Sequence, residues 1–413
     1  MKVLISGTAG AGGWPSPDCG CASCARVTPG RRATSVLLDV SVAVGGPLPF
    51  CGSPSPDAPA APDTSTVSGG PAALGGSTTP DDPMTSNRSM PPNGPVRLPL
   101  SGPLPPGYRA SPGPDGLTVT TPGGRRVLYA ASSPPLPPPY GDSPRGGSSD
   151  DERGERTLDL VLLDVLDRPE RLGDLRRRGL VGERTHVVAV DVDHRVPTET
   201  ELTRRAALWG VRVVPDGTVV DTSEPPPAPA PPPRRTLLLG GSRSGKSAEA
   251  ELRLAAEPEV LYVATGPSGD GDLEWLRRVR AHRDRRPAHW RTAETIGLSG
   301  LLRSADTPLL IDGLGTWVAA VFDECDAWPG GAGDNTPGAM EAVAARCDDL
   351  VAAWRQTRSR VVAVSDEVGL GLVPDTAGGR MFRDTLGRLN QRLALESEDV
   401  TLVVSGRLLP LPL

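Results

Sequence analysis

Eight residues, Gly240-Gly241-Ser242-Arg243-Ser244-Gly245-Lys246-Ser247, have the types and spacing to do the clearest chemistry in this chain. A short apolar run, Thr236 to Leu239, precedes them and reads as a buried strand. A run rich in Ala, Glu and Leu, Ala248 to Ala256, follows and reads as a helix. Between a strand and a helix start, a Gly-x-x-x-x-Gly-Lys-Ser loop cradles phosphates. Gly240 and Gly245 let the backbone N–H groups turn inward, and the helix N-terminus adds partial positive charge. Lys246 then reaches the β- and γ-phosphates of a nucleoside triphosphate, and the Ser247 hydroxyl ligates Mg²⁺. Leu309-Leu310-Ile311-Asp312 is an apolar strand ending in a carboxylate. Beside a phosphate loop, Asp312 holds Mg²⁺ directly or through water; without one it is an ordinary strand-end residue. Between 277 and 290, His282 and His289 stand among six arginines. Such arginines clamp phosphate oxygens or form a solvated face, and a histidine among them is a general base, a nucleophile on phosphorus, or structural. Spacing alone does not choose.

The bulk composition narrows the classes. The chain has 413 residues, which suits two or three domains of about 100–200 each. Its net charge of -6 argues against a nucleic-acid partner. The 49 glycines and 47 prolines follow no collagen period, so a long disordered segment is predicted. No run of 18 apolar residues offers a membrane span, and the first apolar stretch is too short for a signal peptide, so a cytoplasmic protein is expected. Six cysteines in such a chain do not suggest a disulfide scaffold. Three of them, Cys19, Cys21 and Cys24, cluster as metal ligands do.

Along the chain, residues 1–44 read as ordered, with strands at Lys2–Ser6 and near Ser35–Val44. Residues 45–155 are Pro-, Gly- and Ser-rich and are predicted to be a disordered insert, because such a stretch buries too little apolar surface to offset its ordering entropy. Within it, Leu117–Thr121 and Arg126–Ala131 form a candidate hairpin. Order returns over 156–221, with strands at Leu158–Asp164, His186–Val190, Val211–Val214 and Thr218–Val220, and helices at Pro169–Arg178 and Thr198–Trp209. Residues 222–233 read as a stiff proline-rich linker. Over 234–413, strands at Thr236–Leu239, Val260–Ala264, Pro308–Asp312, Arg360–Val364 and Val400–Val404 alternate with helices. The fold class is α/β, with a P-loop NTPase-type, mostly parallel sheet flanked by helices.

Residues 236–413 resemble the bifunctional adenosylcobinamide kinase/adenosylcobinamide-phosphate guanylyltransferase family of cobalamin biosynthesis. The matching stretches are the phosphate loop, Tyr262-Val263-Ala264-Thr265, His282-Arg283 with Arg286-Pro287, Trp290 with Glu294, Ile311-Asp312 with Trp317, Glu367-Val368-Gly369 through Val373-Pro374, and Phe382-Arg383-Asp384 with Gly387 and Asn390-Gln391. The resemblance implies two reactions at one site: ATP or GTP phosphorylates adenosylcobinamide, then GTP guanylylates a histidine that passes GMP to adenosylcobinamide phosphate. It makes His282 the guanylylated residue, with His289 the rival, and Lys246 catalytic. It associates Ala264, Thr265, Arg283, Arg286, Glu294 and Asp312 with nucleotide binding beside residues 240–247, and suggests a homo-oligomer, in particular a trimer. Two departures stand out. Asp366 occupies a position where Asn is usual before Glu-Val-Gly, and Gly313-Leu314-Gly315-Thr316 replaces a Cys-Leu-Thr-Leu-type run. The alternatives are a kinase-only or NTP-hydrolysing protein, and a nucleotide-binding module that senses corrinoid without chemistry.

The first segment resembles a metallo-β-lactamase-fold hydrolase of the phosphodiesterase-like branch. The resemblance lies in Gly7 to Pro15, the Cys19-Gly20-Cys21 to Cys24 loop, Asp193-His194 and Trp209 to Gly217. A His-x-His-x-Asp-His string is absent from the sequence, which has four histidines in all, so the catalytic metal centre of that family cannot be assembled. The segment is expected to be a non-catalytic, partial αβ remnant. Three thiolates and one further ligand satisfy tetrahedral zinc. The resemblance makes His194 that ligand; the alternative is three free cysteines in a degenerate loop.

Overall fold

The computed structural model describes residues 1–40, 95–131, 157–266, 277, 280, 283–284, 286–329 and 338–412. In chain order the first half contains β1 (Lys2–Gly7), β2 (Ser35–Leu38), β3 (Val96–Leu98), β4 (Arg109–Gly113), β5 (Gly116–Thr120), β6 (Arg126–Ala130), β7 (Leu160–Leu163), α1 (Glu170–Arg177), β8 (His186–Ala189), α2 (Glu199–Trp209) and β9 (Thr218–Asp221). Among the described residues these strands make two sheets, β3-β2-β1-β9 and β4-β5-β6-β7-β8. The sheets pack face to face. Val3, Ile5, Val36 and Leu38 from one meet Val119, Val127, Leu160, Leu162 and Val188 from the other in a single core. The alternate residues Val161, Leu163, Val187 and Ala189 point to the opposite face, where Leu172 and Leu175 of α1 and Leu202, Ala206 and Trp209 of α2 cover them. Strands β7 and β8 are apolar throughout because both of their faces are buried.

The predicted disordered insert needs correction. Strands β3, β4, β5 and β6 all fall inside 45–155, and the candidate hairpin is β5–β6. Strand β3 offers only Val96 and Leu98 as apolar anchors, yet both are buried because β2 and the facing sheet supply the rest of the core. Local composition underestimates a strand whose burial comes from partners distant in sequence. The remaining parts of that insert, 41–94 and 132–156, lie outside the described residues. Val211–Val214 is not a strand; Arg212 makes an isolated bridge to Val188.

The second half contains β10 (Arg235–Gly240), α3 (Lys246–Leu254), β11 (Leu261–Ala264), β12 (Arg291–Glu294), α4 (Leu298–Ser304), β13 (Leu309–Asp312), α5 (Leu314–Glu324), α6 (Ala339–Gln356), β14 (Val361–Asp366), α7 (Ala377–Leu395), β15 (Asp399–Val404) and β16 (Arg407–Pro410). Among the described residues the sheet order is β12-β11-β13-β14-β10-β15-β16. Every pairing is parallel except that of β16 with β15. Leu237, Leu309, Ile311, Val361 and Ala363 face α4–α7, whereas Leu238, Leu310, Val362 and Val364 face α3. This is the mostly parallel α/β architecture expected of the segment.

The two halves are docked directly. Trp209 Nε1 donates to Leu252 O at 2.7 Å, Arg176 Nη1 donates to Ala256 O at 2.8 Å, and Arg204 pairs with the buried Glu249 of α3 at 2.8 Å. Ala256 lies in the first half's helical core. The helix that follows the phosphate loop is therefore held by the sheet on one flank and by α2 on the other. Trp209→Ala is expected to destabilise the chain by about 3–5 kcal/mol, since a buried Trp and its hydrogen bond are lost together. Denaturant unfolding measures this; an unchanged midpoint would show that the halves do not support each other.

Candidate nucleotide-binding active site

The functional side chains collect at the carboxyl edge of the parallel sheet, where ligands of open α/β sheets bind. Register fixes this. Ala264 at the end of β11 is paired with both Glu294 on β12 and Asp312 on β13, and Gly240 on β10 is paired with Asp366 on β14. The phosphate loop leaves β10 and enters α3. Arg243 and Gly245 take positive φ, 58° and 99°, and so turn the loop back over the helix start. At Gly240 a side chain has no room: an added Cβ would lie 2.6 Å from both Ser244 Oγ and Val403 O. The loop's shape therefore requires glycine at both ends, as its motif implies.

Lys246 folds across the loop mouth. Its ammonium donates to Gly241 O at 3.0 Å and pairs with Asp366 Oδ1 at 2.9 Å. Ser247 Oγ donates to Asp312 Oδ1 at 3.0 Å. The second carboxylate oxygen of Asp312 accepts from Tyr262 Oη at 2.5 Å. Burial, reinforced by the Asp312 carboxylate, raises the Tyr262 phenol above its ordinary value, so it stays protonated and donates. The Arg286 guanidinium lies 3.5 Å over the Tyr262 ring centroid. Thr265 Oγ1 donates to Gly313 O at 2.5 Å and lies 2.7 Å from Thr316 Oγ1, tying the end of β11 to the start of α5. The paired oxygens of Ser247 and Asp312 are the hard donors that Mg²⁺ prefers, so these residues fit that ion.

Most of the residues predicted for the site meet here: Gly240 to Ser247, Ala264, Thr265, Arg286 and Asp312. Glu294 is exposed at the rim, where Arg283 Nη2 approaches it to 3.6 Å. His282 lies outside the described residues. His289 is at the opposite edge, before β12 begins, with Nε2 3.3 Å from Glu257 O; burial lowers its basicity. That position sets it apart from the phosphate loop. Tyr262, Thr316 and the Asp366–Lys246 pair were not assigned roles from sequence. For Tyr262 the available signal was a phenol on an otherwise buried strand, which needs a partner for its hydroxyl.

In the first half, Cys19, Cys21, Cys24 and His194 do converge, with ligand atoms all within 4.8 Å of one another. His194 Nδ1 lies 3.6 Å from Cys19 Sγ and 3.9 Å from Cys24 Sγ. Ligands of a zinc tetrahedron with Zn–S near 2.3 Å stand about 3.8 Å apart, so the cluster fits. The backbone N–H of Cys24 holds the Cys21 thiol below its ordinary value, which favours the thiolate a metal needs.

Among the described residues no helix is long and apolar enough to cross a membrane. Residues 236–411 match the family described as cobinamide kinase / cobinamide phosphate guanyltransferase. The bifunctional adenosylcobalamin biosynthesis protein CobU of Salmonella typhimurium is 39% identical over 178 residues, covering 41% of this chain and 95% of that protein. CobU of Escherichia coli K12 is 39% identical over 181 residues, covering 41% of this chain and 95% of that protein. CobP of Pseudomonas aeruginosa, which carries the same bifunctional description, is 42% identical over 183 residues, covering 43% of this chain and 95% of that protein. Through these residues the chain belongs to the cobinamide kinase / cobinamide phosphate guanyltransferase family.

Proposed function

We propose that residues 234–413 carry out two successive steps of cobalamin biosynthesis at the sheet edge: phosphorylation of adenosylcobinamide by ATP or GTP, then transfer of GMP from GTP to the new phosphate, giving adenosylcobinamide-GDP. The observation that carries this reading is the convergence of Lys246, Ser247, Asp312 and Tyr262 on one phosphate loop in a member of this family. The loop's N–H groups and the α3 N-terminus bind the phosphates, and Lys246 reaches the β- and γ-oxygens. Ser247 and Asp312 would hold Mg²⁺, which when bound offsets charge on the phosphates. Ala264, Thr265, Arg283, Arg286 and Glu294 border the nucleotide.

In the second step a neutral imidazole nitrogen of His282 attacks the α-phosphorus. An N–P bond forms, the α–β bridging O–P bond breaks, and pyrophosphate leaves. The phosphate of the acceptor then attacks that phosphorus, the N–P bond breaks, and GMP passes on. His282 is favoured over the other three histidines because each of those is engaged away from the loop. His186 Nε2 lies 2.8 Å from Glu224 O, His194 is in the cysteine cluster, and His289 is at the far edge. Arg283, next to His282, reaches the rim at Glu294.

The protein acts as a cytoplasmic homo-oligomer, in particular a trimer, on adenosylcobinamide, its phosphate, GTP and ATP, with no nucleic-acid partner. The first half, 1–44 with 156–221, is a metallo-β-lactamase-like remnant joined through linker 222–233, and it keeps a structural zinc on Cys19, Cys21, Cys24 and His194. Exposure to GTP is expected to leave an acid-labile, base-stable GMP adduct that mass spectrometry maps to His282. His282→Ala is expected to lose the adduct and guanylyl transfer while retaining the kinase step; an adduct elsewhere overturns the assignment. Metal analysis is expected to find about one zinc per chain, lost in Cys24→Ser and in His194→Ala. Metal-free protein with all four ligands intact would contradict the zinc.

A further inference from the structure

Asp366 and Gly315 are two positions at which the chain departs from the pattern it resembles, and they touch. Asp366 ends β14, between the phosphate-loop strand β10 and the Asp312 strand β13. Its backbone is fixed from behind: Asn390 Nδ2 donates to Asp366 O at 3.1 Å, and Asn390 Oδ1 accepts from the buried Ser365 hydroxyl at 2.6 Å. One carboxylate oxygen holds Lys246 Nζ at 2.9 Å. The other points at Gly315 in the first turn of α5, where an added Cβ would stand 2.7 Å away. Any larger residue at 315 would press on the carboxylate in the orientation that reaches the lysine. The absence of a side chain at 315 and the acid at 366 therefore form one device.

We propose that Asp366 is a latch on the phosphate-loop lysine. It holds Lys246 back across the loop against Gly241 O, so the β- and γ-phosphates bind only by displacing a carboxylate already in place. Asp366 is a positioning residue in this account: it acts on nucleotide through Lys246. The lysine side chain is 12% exposed and the aspartate 42%, so the pair is partly screened and its effect is modest. An uncharged side chain of the same shape leaves Lys246 available. The latch rests on the reading that Lys246 grips the nucleotide.

The test is equilibrium binding of GTP, GDP and GMP to the full chain, with and without Mg²⁺. Asp366→Asn is expected to tighten GTP and GDP by about 1.5- to fivefold, the range of a partly exposed ion pair, and to leave GMP unchanged. Gly315→Ala, which crowds the carboxylate off the lysine, is expected to tighten GTP in the same way and to add nothing on top of Asp366→Asn. In a Lys246→Ala background the Asp366→Asn gain is expected to vanish. A gain that survives there means direct repulsion of phosphate and overturns the latch. Loss of affinity confined to Mg²⁺-containing samples means a metal ligand and also overturns it, as does unchanged affinity. If Lys246→Ala itself leaves GTP binding intact, the nucleotide reading of the loop fails, which is distinct from failure of the latch alone.

Discussion

Helix α3 has to expose its N-terminus to a polyanion while the rest of it is buried on two sides, and this constraint organises the molecule. On the sheet side Ala250 and Leu254 fill the layer against β10, β11 and β14. On the other side Glu249 is buried, and a buried carboxylate is costly unless charges and donors surround it. Arg253 from its own helix and Arg204 from α2 supply them, and Arg253 reaches on to Asp399 and Thr401 of β15. The phosphate loop is thus the free end of a helix whose body is clamped. Its positive-φ turns at Arg243 and Gly245 persist because neither end of the loop can relax.

The two-residue period of the strands then decides which chemistry meets that free end. Leu309 and Ile311 face the helices α4–α7, so Leu310 and Asp312 face α3. On β14, Val361 and Ala363 face α4–α7, so Val362, Val364 and Asp366 share the α3 side. On β11, Tyr262 and Ala264 do the same. Three polar side chains of strands adjacent in the sheet arrive on the side where Lys246 and Ser247 begin the helix. Asp312 takes the serine and the tyrosine, and Asp366 takes the lysine. The division of the two carboxylates follows from strand order: β14 is hydrogen-bonded to β10, and β13 lies one strand further out.

Much of this was legible in the residues, and the reasons for the exceptions are physical. The phosphate loop and Asp312 lie on short apolar strands whose composition and punctuation settle their type, and strands and loops of that kind read locally. Strand β12 was not predicted, because Arg291-Thr292-Ala293-Glu294 is a largely polar edge strand that only its pairing with β11 identifies. Strand β3 was hidden in a proline-rich span because its burial comes from distant partners, and β4 because it is a largely exposed edge strand that only its pairing with β5 identifies. Asp366 was legible as a negative charge in an unusual place near the phosphate site, able to lower affinity or shift the metal, but not as the partner of Lys246. Its partner is 120 residues away along the chain, and nothing in local pattern pairs it with Lys246. Arg204 is similar, an unremarkable helix charge until Glu249 is found opposite it.

The cysteine loop bears on the same helix by a chain of direct contacts. Trp14 Nε1 donates to Ser23 Oγ, and Ser23 Oγ donates to Val196 O at 2.6 Å, so the loop that carries Cys19, Cys21 and Cys24 grips the segment just after His194. Two residues further on, Thr198 accepts from the Glu201 N–H and starts α2, the helix that presents Arg204 and Trp209 to α3. Ser23, inside the cysteine loop, thus fixes the entry to the helix that clamps the phosphate-loop half, so that loop has a mechanical task in the fold.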